Sequence, residues 1–362
     1  MNAEQVLAFR LSRSGLAARR AGSLAEAAAC PASDFSRDAA LQALAARAED
    51  VSHEDYDRAV DAGDVVVAHI VRGAIHALAP GDLALYGRAL IARDDDELGA
   101  QLGRQVQRLS AEKGFAPTDA LDEVAAATKD ALAAGPLGKN DLHQALRERV
   151  RDDLMPWCKG CKSHHVASML WRYATVQAGV RLDAERRYMM GRPGRAPAAR
   201  EAVRRFLAFY GPGRPADFAE WAGLAKPHAE RLWNEVAGDL AEVPIGRTAA
   251  WVLADDGDAL ASPPNAKGVR LLPPGDPYLQ KANRPLLAPD DELRKRLFRP
   301  VASPGAVLKD GRLVGLWRAK AKGRRTELTV EKIGRVARAD LEDEAERIAA
   351  LRGSADLALD VA

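Results

Sequence analysis

The chain has 362 residues, 47% hydrophobic and 29% charged, with enough apolar material to fold and charges too evenly mixed for a disordered chain. That length exceeds what one core usually serves, so three or four modules are expected. With 53 basic and 51 acidic residues the formal charge is only +2, which excludes bulk attraction to phosphate and assigns any such attraction to local clusters.

The stretch from Met1 to Leu16 has no long apolar run, and no later stretch is apolar for the roughly 18 residues that a membrane span needs. A soluble, cytoplasmic protein without membrane contact is expected. Three cysteines, Cys30, Cys158 and Cys161, are too few for a secreted disulfide framework and fit a reducing compartment.

In chain order, Ser52 is placed to cap a helix from His53 to Ala62 that Gly63 ends. Val65 to Val71 alternates as a strand, Arg72-Gly73 turns the chain, and Ala74 to Leu78 returns, which puts Arg72 at a hairpin tip and His76 on the ribbon. Helix then ribbon suggests a winged helix, in an N-terminal module at 1–110. In a second, degenerate module at 111–195, Asn140 can cap a helix through Val150, a cysteine-bearing loop follows, and Val166 to Ala178 forms a helix ended by Gly179. Val180 to Leu182 and Arg187 to Met189 would be its ribbon, and Gly191 to Pro197 reads as a linker.

The clearest module spans 196–260. Ala199, Ala202, Val203, Phe206, Leu207 and Tyr210 share one helical face, a short helix runs from Ala216 to Ala222, and Gly223-Leu224 makes the turn into a third helix with Pro227 in its first turn. Ala229, Leu232, Trp233 and Val236 point inward on that helix, leaving Lys226, His228, Arg231 and Asn234 on the wetter side. Leu240 to Ile245 and Ala249 to Ala254 then form a ribbon about Gly246-Arg247-Thr248. Such a third helix can enter a major groove while the turn reaches the backbone, so Lys226, His228, Arg231, Asn234 and Arg247 are candidate DNA contacts. A protein-docking winged helix carries the same pattern, because fold does not fix function.

Ser262 to Asn265 marks a boundary into a β-rich module at 261–362. Ala306 to Leu308 and Leu313 to Ala319 flank the hairpin turn Asp310-Gly311, Glu327 to Glu331 supplies another strand, and a helix from Leu341 to Leu351 closes the chain. Lys320, Lys322, Arg324 and Arg325 gather around Gly323, either to bind phosphate or as an ordinary solvated tip.

Cys158, Cys161, His164 and His165 offer the two thiolates and two imidazoles that tetrahedral zinc accepts, although structural sites usually draw their ligand pairs from separated segments. A redox pair is the alternative, but no thioredoxin-like pattern surrounds it. Reduced cysteines beside surface histidines are the plainest reading. No cofactor is otherwise called for.

Four phrases, Leu44-Ala45-Ala46-Arg47, Val71 to His76, Leu271 to Pro277 and Asp310 to Arg318, resemble in content and order the winged-helix DNA glycosylases of the AlkZ-like family, which release bulky alkylated purines and unhook interstrand crosslinks. The resemblance implies three winged helices along a DNA channel and a C-terminal β-barrel. The expected fold class is therefore α+β, tandem winged-helix domains followed by a small C-terminal β-barrel-like domain. The expected partner is double-stranded DNA, alkylated or crosslinked. The family's Gln-x-Gln or Gln-x-Asp signature would fall on Ser33 and Phe35, and neither can steady an oxocarbenium-like state or orient water. Asp34, one position away, has the right chemistry, and it also has the alternative of a turn or cap residue. Arg37 beside it, and Arg72 and His76 on the first ribbon, are candidate contacts to phosphate or an extruded nucleotide. The sequence leaves open a glycosylase, a non-enzymatic DNA-binding or regulatory protein, and an interaction or ligand-sequestering scaffold.

Overall fold

The computed structural model describes residues 1–19, 22–36, 38–192, 194–299 and 301–362. It is a mixed α+β protein whose internal contacts divide it into two compact units, one made of Met1–Tyr56, Arg205–Arg214 and Asp239–Ala362, the other of Asp57–Arg204 and Pro215–Gly238. None of the helices among the described residues is long and apolar enough to cross a membrane.

In the first unit the helix Ala3–Arg13 starts at Asn2, whose side chain accepts from the Gln5 N–H, and buries Val6, Phe9 and Leu11. Leu11 joins Leu16, Ala46, Leu272, Tyr278 and Leu308 in one apolar cluster. The scaffold of the unit is a five-stranded sheet in the order Val269–Leu272, Gly305–Lys309, Arg312–Lys322, Arg325–Lys332 and Asp356–Val361. Asp310 and Gly311 both take left-handed φ values, 51° and 79°, as the tight turn between the second and third strands requires. At Gly305 a side chain is excluded outright, since a Cβ there would meet the Trp317 indole nitrogen, which donates to the Leu272 carbonyl at 2.8 Å.

The helix Arg338–Leu351 lays Leu341, Ala345 and Ile348 on Val269, Leu271, Leu328 and Val330. It is also the crossover that lets Asp356–Val361 pair in parallel with Arg325–Lys332, a connection no tight turn could make. The expected barrel-like closure is corrected here: among the described residues the sheet stays open, with Val269–Leu272 and Asp356–Val361 at its two edges, because the chain returns through that helix to extend one edge instead of joining the two.

In the second unit Ile75–Leu78, Val66–His69, Val180–Leu182 and Tyr188–Met190 lie side by side, every pairing antiparallel. Arg72 and Gly73, with φ near 60°, make the turn joining the first two. Its longer helices include Asp95–Leu102, Arg104–Lys113, Pro117–Leu132, Lys139–Arg147, Ser168–Ala178, Pro215–Ala222 and Lys226–Asn234. The long helix Pro117–Leu132 begins with proline, whose missing N–H costs nothing in a first turn, and Ser168–Ala178 ends at Gly179 with φ 77°. Asn140 falls inside the first turn of Lys139–Arg147 and not before it, because Gly138 takes the extended backbone of the capping position.

Candidate nucleic-acid interface and the Asp34 loop

Ala32–Ser33 is a short strand and Ala39–Ala45 a buried helix, and Asp34 lies in the loop between them. Its side chain is turned inward: the residue is 2% exposed, and Oδ1 accepts from the Ala40 N–H at 3.3 Å. Its neighbour Phe35 is 63% exposed, with a ring edge so close to Gly275 that a Cβ there would stand 3.0 Å from Cε1. Asp38, at φ 70°, meets the imidazole Nε2 of His53 at 2.9 Å. Arg37 lies outside the described residues.

Behind this loop is a feature the sequence reading missed. The Arg47 guanidinium and the Asp276 carboxylate are both buried and face each other through two hydrogen bonds of 2.8 and 2.9 Å. Arg47 also donates to the carbonyls of Ser14 at 2.7 Å and Ala43 at 2.6 Å, and Asp276 accepts from the Tyr278 N–H at 2.8 Å. Burial alone would lower the Arg47 pKa, but the carboxylate outweighs it and the value ends above the ordinary one. The signal was present: one Arg in an Ala- and Leu-rich run and one Asp in a Pro- and Gly-rich turn, two of the four phrases that carried the resemblance. A cavity of about 200 Å³ beside Arg47 is lined in part by Ser12, Arg13, Ser23, Glu26 and Cys30. Burial pushes the Cys30 thiol up to about 11, which makes it inert.

Within the second unit, Arg72 sits at the hairpin tip and donates to the Trp221 carbonyl at 2.6 Å, at the end of the Pro215–Ala222 helix. Gly223 leaves room for it, since a Cβ there would meet Cγ of Arg72 at 2.7 Å. His76 is buried, and its Nδ1–H donates to the Ala74 carbonyl at 3.0 Å. Burial lowers its pKa to about 4, so the ring is neutral near pH 7.

The Lys226–Asn234 helix buries Ala229, Leu232 and Trp233 and exposes Lys226, Arg231 and Asn234. Glu97 lies against this polar side, paired with Arg231 and 3.4 Å from His228 Nδ1. Burial lowers the His228 pKa against the pull of that carboxylate. In the first unit Arg247 is exposed at the turn between Leu240–Ile245 and Thr248–Leu253. Lys320, Lys322, Arg324 and Arg325 are exposed about the Gly323 turn, where Lys322 pairs with Glu327 at 3.1 Å.

The cysteine loop sorts its four candidate ligands. Cys158, Cys161 and His165 come together with their ligand atoms within 4.8 Å of one another. His164 turns away: its Nδ1 donates to the Met155 carbonyl at 2.9 Å, and its ring rests on Trp157. Hydrogen bonding with the Cys161 backbone, the His165 ring and the Cys161 thiol draws the Cys158 pKa down to about 7, whereas the bond to Cys158 raises that of Cys161.

The fold and these surfaces define an α+β protein with a buried ion pair behind a short acidic loop and cations gathered on one helix face and one hairpin tip. The chain belongs to the AlkZ-like DNA glycosylase family, whose model matches residues 32–351. It is 31% identical over 126 residues to the interstrand DNA cross-link repair glycosylase of Streptomyces sahachiroi, an alignment covering 33% of this chain and 34% of that one, so the match spans about a third of the curated relative. The solved structure of Streptomyces sahachiroi DNA glycosylase AlkZ superposes with a TM-score of 0.78 at 21% identity, over 100% of both chains, and the two share a fold.

Proposed function

We propose that this protein binds double-stranded DNA in the service of DNA repair, through tandem winged-helix arrangements of its helices and ribbons. The observation that carries the reading is the helix Lys226–Asn234, packed through Ala229, Leu232 and Trp233 and displaying Lys226, Arg231 and Asn234 to solvent. That is the division of labour expected of a helix that reads a groove. The chain order supports it: Pro117–Leu132, Lys139–Arg147 and Ser168–Ala178 precede the ribbon Val180–Leu182 and Tyr188–Met190, and Glu201–Tyr210, Pro215–Ala222 and Lys226–Asn234 precede the ribbon Leu240–Ile245 and Thr248–Leu253. The exposed cations Arg247, Lys320, Lys322, Arg324 and Arg325 are assigned to phosphate. The named relatives act on crosslinked DNA or as DNA glycosylases, and lesion-bearing duplex is the ligand class to try first.

Recognition without base release is favoured at the Asp34 loop, where the family's signature, counted along the sequence, falls on Ser33 and Phe35, and where the Asp34 carboxylate is buried with Oδ1 on the Ala40 amide. A second reading, hydrolysis with Asp34 activating water, rests on the same residue, because that bond also fixes a carboxylate in this loop. Both readings meet one experiment: anisotropy with a labelled duplex over a salt series, then base release from duplex containing an N7-alkylated guanine, for the unmutated chain and for Asp34→Asn. Affinity that falls steeply with salt and no released base is the expected result. Release abolished by Asp34→Asn would establish the second reading, and affinity indifferent to salt would remove DNA altogether.

A further inference from the structure

Structural zinc sites usually draw their ligands from separated segments, and the fold brings one histidine from a separate helix, His143, beside the cysteine loop. Trp157–Cys158 pairs antiparallel with Ser163–His164, and Lys162, at φ 50°, turns the chain so that Cys158 and Cys161 fall on one side of this small ribbon. Zinc holds sulfur at about 2.3 Å and imidazole nitrogen at about 2.0–2.1 Å, so tetrahedral ligand atoms stand about 3.5–3.8 Å apart. Those of Cys158, Cys161 and His165 already lie within 4.8 Å of one another. A contraction of about 1 Å brings these three to ligating distance.

His165 is oriented for this. Its Nδ1 lies 2.8 Å from the Val166 carbonyl, which can only accept, so the proton sits on Nδ1 and Nε2 keeps its lone pair. An imidazole bonded to a carbonyl in this way is the usual outer support of a metal-bound histidine. The fourth group is His143, from the helix Lys139–Arg147. Its ring centre is 5.2 Å from that of His165, and its Nδ1 is buried with no hydrogen-bond partner. A buried nitrogen left without a partner is costly, and a metal ion would satisfy it. Two imidazoles on one tetrahedral ion have ring centres about 5 Å apart, which is the spacing already present.

We propose that Cys158, Cys161, His165 and His143 bind one structural zinc ion, which fastens the loop between the Lys139–Arg147 and Ser168–Ala178 helices. Two thiolates balance the ion's charge, two imidazoles complete the shell, and the two cysteine protons pass to solvent on binding. His164 stays outside the shell because its ligand atoms are not among those that meet at Cys158, Cys161 and His165.

The test uses the full chain, purified in reductant without chelator, loaded with zinc chloride and dialysed against metal-free buffer. Metal analysis is expected to give about one zinc per chain, and cobalt in its place to show thiolate charge-transfer and tetrahedral absorption bands. His164→Ala is expected to keep the metal. Cys158→Ser and His143→Ala are each expected to weaken zinc by more than the roughly 10–100-fold that loss of an outer-shell partner costs. A chain that retains no zinc, a Cys158–Cys161 disulfide in the purified protein, or zinc affinity unchanged by Cys158→Ser or His143→Ala overturns the assignment. The cobalt spectrum of the unmutated chain decides the matter even where a cysteine variant does not fold, since absence of the thiolate band also overturns it.

Discussion

Two buried polar groupings, one in each unit, are held by different means. The first unit buries a charge: Arg47 reaches Asp276 across 229 positions of sequence, and carbonyls of Ser14 and Ala43 take further guanidinium donors. The second buries neutral rings. His76 donates to a carbonyl only two residues away, and His69 Nδ1 donates at 2.8 Å to the hydroxyl of Thr175, whose own proton goes to the Arg172 carbonyl. A buried charge needs a partner that neutralises it, and where that partner lies far off in sequence the pair specifies which segments meet. A neutral imidazole needs only one acceptor, and it specifies less, but it ties the unit's stability to pH.

The sharpest way to break this comparison is to remove one half of the pair. Arg47→Met strands the Asp276 carboxylate in an apolar interior, and the loss of stability is expected to be about 3–5 kcal/mol in chemical denaturation. Arg47→Met with Asp276→Leu removes both charges and is expected to recover much of that loss. A single substitution costing under about 1 kcal/mol would mean that the pair does not hold the unit together.

Acid tests the second unit. His76 is neutral in the fold, with its pKa lowered to about 4, and His69 is lowered to about 3 by burial and by neighbouring cations. In the unfolded chain each takes up a proton below about pH 6.5. The stabilisation is therefore complete above pH 6.5 and is lost as pH falls towards 4, about 3 kcal/mol for His76 alone at about 1.4 kcal/mol per pKa unit. His76→Asn, which keeps a donor for Ala74, is expected to flatten the fall in stability between pH 6 and pH 5. A slope unchanged by that substitution would place the proton uptake elsewhere.

This division also explains how much of the molecule was legible beforehand. Elements bounded by strong local signals were readable: the turn at Asp310-Gly311, the helix closed by Gly179, the buried stripe of Lys226–Asn234. Asp95–Leu102, Arg104–Lys113 and Pro117–Leu132 were passed over although Asp94, Gly103, Gly114 and Pro117 punctuate them and Leu121, Val124, Ala125 and Leu132 keep a helical period along the longest. The strand Asp356–Val361 was invisible, since its partner Arg325–Lys332 is parallel and reached only across a helix. At the candidate sites, Asp34 was legible as chemistry but not as a buried acceptor. Arg47 and Asp276 each looked like one charge in a weak motif, and only folding makes them a pair. His143 carried no local sign of its place beside the cysteine loop, because the residues joining them lie in sequence between a helix and a ribbon.

The smallest expected effect lies at the surface pair of Arg231 and Glu97, which has the chemistry of Arg47 and Asp276 without the burial. Arg231 is 57% exposed, so water screens the pair and Arg231→Ala is expected to change stability by about 0–1 kcal/mol. Its effect on DNA is expected to be larger than its effect on folding: if the guanidinium leaves Glu97 for a phosphate, the variant weakens binding to every duplex and lowers the salt slope by about 1. If it reads a base edge, the loss depends on sequence and the slope holds. Glu97→Gln sharpens the contrast, because releasing Arg231 and His228 from a carboxylate is expected to tighten DNA binding while leaving stability almost unchanged. A Glu97→Gln protein that binds DNA no better than the unmutated chain would show that this face of Lys226–Asn234 is only solvated.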